Sequence, residues 1–221
     1  MTEVTTQQST NSHNGQSCMG PQLVGLARCP HCSVAQPLFT CTWASAGPTA
    51  RTDGGAPQYW ATYRCQSCGA IVCVQGNRRQ KDYLAGQIFP TPKQAHEDLP
   101  QIARVFLQQA YETQHAPDAA AVMSGSAVDA MLKAKGYIEG SLYVRIDKAL
   151  SDNLLTKGMA DWAHSVRLGS NRPRHSDAEK PHVSPDEAKQ SVEFAEALGN
   201  FLFVLTAKID RGIQQAAATN A

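Results

Sequence analysis

The densest chemistry in the chain lies in residues 161–175, DWAHSVRLGSNRPRH. There His164, Arg167, Arg172, Arg174 and His175 share fifteen residues with Trp162, Gly169, Asn171 and Pro173. Arg167, Asn171 and His175 are spaced i, i+4, i+8, which on one continuous helix is a slowly drifting line along one face. Pro173 opposes a continuous helix, because it lacks an N–H and its ring crowds the carbonyl of Gly169. Either the helix stops near Leu168, or a second short helix opens at Pro173, where proline suits the first helical position. In the second case backbone N–H groups, Arg172, Arg174 and His175 would converge on one anion-sized spot. The competing reading is a solvated basic loop between two helices.

A second constellation is Cys29-Pro-His-Cys32 followed by Cys65-Gln-Ser-Cys68-Gly. Each CxxC turn aims two thiolates at one point, and two such knuckles make the tetrahedral sulfur set that structural zinc prefers. Between them, residues 38–43 and 58–64 are rich in Thr, Tyr, Trp and Phe and read as strands. GPTARTDGGAP between those strands reads as a loop, and residues 71–74 supply a third strand. The plan is a small β zinc ribbon with one structural zinc ion on Cys29, Cys32, Cys65 and Cys68. A closed site of four thiolates leaves no open position for catalysis at the metal. His31 sits inside the first knuckle and is expected to point away. Arg78, Arg79 and Lys81 in GNRRQK leave the ribbon as a basic cluster that could touch a phosphate backbone or serve as a solvated linker.

The elements that must position these groups follow from composition and periodicity. The 221 residues suffice for one substantial domain and a small one, and a net charge of +1 means that any nucleic-acid surface is a local patch. The first residues have no apolar core of a signal peptide and the longest apolar run is too short to span a bilayer. A cytoplasmic protein without membrane contact is therefore expected. Residues 1–20 read as a disordered tail, 27–76 as the ribbon, 77–99 as a proline-marked linker, 100–212 as a helical bundle and 213–221 as a frayed tail. Gly125 sits mid-helix between Ser124 and Ser126, where glycine costs about 1 kcal/mol against alanine. A close helix crossing is the expected reason. Asp129, one turn on, could hold an arginine from a neighbouring helix. The last helix carries apolar residues from Ala188 to Ile209 at helical spacing, wide enough for a central position or a homodimer face.

The helical half resembles the domain-of-unknown-function family numbered 4145. The resemblance rests on a helix starting near Pro117 and carrying SGSAVDAML, a short helix headed by Leu142, the segment VRLGSNRPRH and a long C-terminal helix. That family is grouped with the helical HEPN domains, so the fold class implied is α+β and multi-domain: the ribbon followed by an all-α HEPN-like bundle. Many HEPN domains are metal-independent endoribonucleases of phage-defence and toxin systems that pair an arginine with a histidine across a dimer. Carried onto this chain, the pair is Arg167 and His175, with Asn171 between them. Histidine can move the proton of a ribose 2′-OH, and arginine can clamp the phosphate. Seven residues, Pro173 among them, separate Arg167 from His175, a wider gap than the family's habit.

The expected function is therefore an intracellular, non-catalytic zinc-ribbon module in a defence or mobile-element context. It would bind nucleic acid, RNA favoured, or a partner protein, with Arg172, Arg174, Arg78, Arg79 and Lys81 as anion contacts. The alternative is an endoribonuclease using Arg167, His175 and Asn171.

Overall fold

A computed structural model describes residues 17–79, 82–176 and 178–219. The chain divides into two units, Met1–Pro92 and Lys93–Ala221.

The first unit is built on six strands: β1 Cys18–Met19, β2 Gln22–Leu23, β3 Phe39–Ala44, β4 Tyr59–Cys65, β5 Ile71–Arg79 and β6 Asp82–Phe89. They form one antiparallel sheet in the order β1-β6-β5-β4-β3-β2. Cys18 and Val24 exchange backbone hydrogen bonds of 2.9 and 3.1 Å, so the first strand meets the end of the second and the sheet nearly closes into a barrel. Side chains alternate across the pleat. Ala61, Tyr63 and Cys65 of β4 point into a core with Leu23, Phe39, Val72, Val74 and Ala85, and Arg64 on the same strand is exposed. The Tyr63 hydroxyl, deep in that core, donates to the Gly20 carbonyl and accepts from the Gly20 N–H, both at 3.2 Å. This ties the β1–β2 turn to the centre of the sheet. Burial pushes the Tyr63 hydroxyl up to about 12, so it stays a neutral donor.

The second unit is helical: α1 Gln101–Glu112, α2 Pro117–Ala134, α3 Leu142–Ser151, α4 Lys157–His175, then α5 Pro185–Gly199 running through a π turn, Asn200–Val204, into α6 Leu205–Thr219. Ser141, Thr156 and Ser184 cap α3, α4 and α5 by accepting from N–H groups of the first turn. Helix α2 is the centre. It packs on α1, α3, α4 and α5 and buries Ala120, Ala121, Ser124, Gly125, Ala127, Val128, Met131 and Leu132. The glycine has the reason expected of it. A methyl group at Gly125 would lie 2.5 Å from Ser170 Oγ and 2.7 Å from Ser170 Cβ, so α2 and α4 cross closely at this point.

The expected plan of a small ribbon and an all-helical HEPN-like bundle is corrected. The first unit is a nearly closed six-stranded sheet, not a three-stranded ribbon, and no HEPN bundle is evident in the helices that follow it. Residues 82–89, expected within a linker, are strand β6. Their Tyr, Leu, Ile and Phe are strand formers, and the prolines that suggested a linker come only after Phe89. Of the expected N-terminal tail, residues 1–16 lie outside the described residues and Cys18–Met19 pair with β6. Residues 213–219 are helical rather than frayed. The α5 stripe buries through Leu198, Leu202 and Val204. Leu205 and Ile209 are 51% and 52% exposed, because the π turn inserts a residue and rotates the later positions off the core.

Gly125→Ala should destabilise the helical unit by roughly 1–3 kcal/mol in urea unfolding, overpacking outweighing the gain in helix propensity. The double variant Gly125→Ala/Ser170→Gly should recover most of the loss.

Candidate metal centre and basic cavity

The two CxxC segments fold into matching knuckles. In the first, the Cys29 N–H donates to Val34 O (3.0 Å) and the Ser33 N–H to Cys29 O (2.9 Å). In the second, the Cys65 N–H donates to Ala70 O and the Gly69 N–H to Cys65 O, both at 2.9 Å. The residue after the second cysteine has positive φ in each: Ser33 at 59° and Gly69 at 74°. Only that turn brings the following backbone N–H groups round to the thiols, and glycine adopts it without strain.

The Sγ atoms of Cys29, Cys32, Cys65 and Cys68 all lie within 4.8 Å of one another, with Cys29 and Cys68 at 4.0 Å. Four thiolates around one ion at about 2.3 Å would stand about 3.8 Å apart. The four cysteines can therefore hold a metal ion, and a sulfur-only set is one that suits zinc. Burial pushes the Cys29 thiol up to about 12. Burial also opposes ionisation of Cys65, but the N–H groups of Cys68 and Ser67 and the neighbouring thiols bring it down to about 7. Such a mixed set gathers around a cation that displaces the remaining protons. His31 is no ligand: its Nε2 lies 3.0 Å from the Ile71 carbonyl, linking the first knuckle to the start of β5.

The residues of the 161–175 segment lie on a single helix. Helix α4 continues through Pro173 to His175 and ends at Ser176 in the left-handed conformation. Both expected arrangements, a stop near Leu168 and a new helix at Pro173, are replaced by this one. The proline costs one hydrogen bond near the helix end, and its two neighbours are pinned. Arg172 Nη2 donates to Glu187 Oε1 at 2.9 Å, and Arg174 Nη2 to Ser126 Oγ at 2.8 Å.

This continuity decides which side chains converge. Arg167, Asn171 and Arg174 line a cavity of about 900 Å³ in the helical unit, and His175 does not. On a helix Arg174 falls about 20° from Arg167 around the axis and His175 about 80° away. His175 is exposed at the helix end. Arg172 faces Glu187 instead, an ion pair that Lys180 shares at 2.8 Å, and so clamps α4 to the start of α5. Arg78 and Arg79 are in the sheet unit at the end of β5, and Lys81 lies outside the described residues.

The cavity has two kinds of wall. Ile102, Phe106, Ala130 and Leu142 are apolar, while Arg167, Arg174, Arg145 and Lys133 are cationic. Asp129 is the sole carboxylate among the lining residues, and both Arg145 and Lys133 pair with it. The arginine holder expected of Asp129 is thus found, with Arg145 of α3 as the arginine. Arg167 has no carboxylate partner among the described residues. Its guanidinium lies 5.3 Å from the Tyr143 ring centroid, and its buried Nε has no hydrogen-bond partner. Tyr143 packs in turn on His164, 4.8 Å between centroids, and His164 Nε2 lies 3.0 Å from Asp147 Oδ1. Tyr143, Arg145 and Lys133 were not read from the sequence as site residues. The one signal was Asp129, whose expected arginine partner is Arg145.

The family described as Domain of unknown function (DUF4145) matches residues 107–216. Over these residues the chain is similar to that family. The DUF4145 match begins within α1 and ends within α6 and contains Arg167, Asn171 and Arg174, while the metal centre lies outside it. No curated protein and no solved structure matches the chain. Among the described residues no helix is long and apolar enough to cross a membrane.

Two outcomes are expected. Metal analysis of purified protein should give one equivalent of ion per chain, and Cys65→Ser should lose it together with the β-sheet circular dichroism signal. The second concerns Glu187, whose pKa is held down to about 2 by Lys180, the Ser184 N–H and Arg172. A lowered pKa contributes stability above the ordinary value of 4.5 and loses it as pH falls toward 2. Glu187→Gln should flatten the fall of stability across that window, measured as melting temperature against pH.

Proposed function

We propose that the chain is a zinc-stabilised binding module whose helical unit captures a phosphate-bearing polymer, nucleic acid and RNA first among them. The observation that carries this reading is the cavity wall of Arg167, Asn171 and Arg174, where two arginines meet no carboxylate. An arginine unpaired with acid, held by a ring or a hydroxyl, keeps its donors for phosphate oxygens. The apolar wall opposite gives a base or a ribose somewhere to rest. One zinc ion on the four cysteines would supply folding energy to the sheet unit and no chemistry, since four thiolates leave no open position.

Binding without cleavage is the reading that the geometry supports best. An Arg167–His175 reaction needs both groups on one phosphate, and His175 is not among the cavity walls. Asn171 then serves as a hydrogen-bonding neighbour of the arginines.

Fluorescence polarisation with labelled RNA should give a Kd that weakens as salt rises. Arg167→Ala and Arg174→Ala should each weaken it about tenfold and lower the slope of log K against log salt by about one. The RNA should remain intact through the titration. Unchanged affinity in both variants would overturn the cavity as the binding site.

A further inference from the structure

The register of the sheet places three aromatic rings on its outer face. Trp43 of β3 is opposite Thr62 of β4, Thr62 is opposite Cys73 of β5, and Cys73 is opposite Phe89 of β6. Directly opposed residues share a face, so Trp43 and Phe89 lie in one row. Trp60 is two residues from Thr62 and therefore lies on the same face in the next row, paired with Gln75. It stacks on Phe89 at 6.2 Å with planes 27° apart. Trp43 is 56% exposed and Phe89 43%. The sheet thus turns flat aromatic faces to solvent at a cost in exposed apolar surface, and Thr62, Cys73 and Gln75 lie between them.

Charge says what such a face can take. Strands β3 to β6 carry Arg64, Arg78 and Arg79 against one acid, Asp82. Arg64 extends the outer face toward the metal end of β4, and at the far end of β5 Arg79 has the outer register and is opposite Asp82, while Arg78 falls on the other face, 6.0 Å from the Tyr83 ring. Over residues 17–92 there are six Lys and Arg and two Asp. A cationic ligand would be repelled by this excess of arginine. Planar rings joined by anions match both features. Rings spaced across a sheet, with Arg64 at one end of the face and an excess of arginine over acid in the unit, suit the stacking of successive unpaired bases, their phosphates following the positive charge.

We infer that the outer face of the sheet binds single-stranded nucleic acid by stacking bases on Trp43, Trp60 and Phe89. The inference rests on the nucleic-acid reading above for the polymer, and on a separate surface for the contact. A duplex keeps its bases paired and stacked on each other, so the face discriminates against it.

The test uses the full chain with its metal, in a Trp162→Phe background so that Trp43 and Trp60 alone report. Titration with a twelve-nucleotide poly-U strand should quench tryptophan emission by more than a third, and a duplex RNA of the same length should not. Trp43→Ala and Phe89→Ala, checked by an unchanged melting temperature, should each weaken poly-U binding about tenfold or more. In Arg167→Ala/Arg174→Ala the quenching should persist, though total affinity falls. Absence of quenching by poly-U, equal quenching by duplex, or full affinity in the folded Trp43→Ala and Phe89→Ala variants would overturn the inference. If affinity depends on the arginines alone, the cavity reading stands and the sheet reading falls; if it depends on the aromatic residues alone, the reverse holds.

Discussion

The close crossing of α2 and α4 is the constraint on which the helical unit depends. Gly125 has no side chain, so Ser170 can sit where a methyl group would otherwise be. That contact brings the arginine face of α4 against the Ser126 and Asp129 face of α2. Arg174 then reaches Ser126, and Asp129 draws Arg145 across from α3. Three helices thus converge their cations on one cavity, and the same small-residue contact that packs the core creates it. A larger residue at position 125 would separate the helices and take the site apart with the packing.

The sheet unit is organised differently. Its core is small, a handful of residues around Phe39 and Tyr63, and its two knuckles lie at one end of β4. Sheets of this size gain little from burial alone, and a metal ion on Cys29, Cys32, Cys65 and Cys68 would add a tie at that end of the core. The Tyr63 hydroxyl ties the β1–β2 turn to the sheet through Gly20. The two anchors leave the outer face of β3 to β6 with no structural duty, and this is where its exposed rings lie.

Much of the local structure was legible in the sequence. The CxxC pairs and the glycine at the α2–α4 crossing depend on local rules, and they hold in the structure. What depended on long-range pairing was not. Strand β6 was hidden because Pro90 and Pro92 follow it and Gly86 interrupts it, while β1 and β2 are two residues each and exist only through their partners. The HEPN-like bundle rested on short motifs that name residue types without specifying how helices pack. The identity of the converging residues turned on Pro173. Read as a break, it left His175 free to swing toward Arg167. With the helix unbroken, the face runs Arg167, Asn171, Arg174, and His175 leaves it.

The central claim is that Arg167 and Arg174 present phosphate-binding donors in a shared cavity. The most direct measurement is a nuclear magnetic resonance titration of the labelled full chain with a 5′-phosphorylated RNA oligomer, following the arginine side-chain Nε–H signals and the backbone amides. The account predicts saturable shifts at Arg167 and Arg174, with neighbouring amides of Ser126, Tyr143 and Asn171 moving in step. Shifts confined to residues outside this set, with the two arginine signals unmoved at saturation, would contradict it.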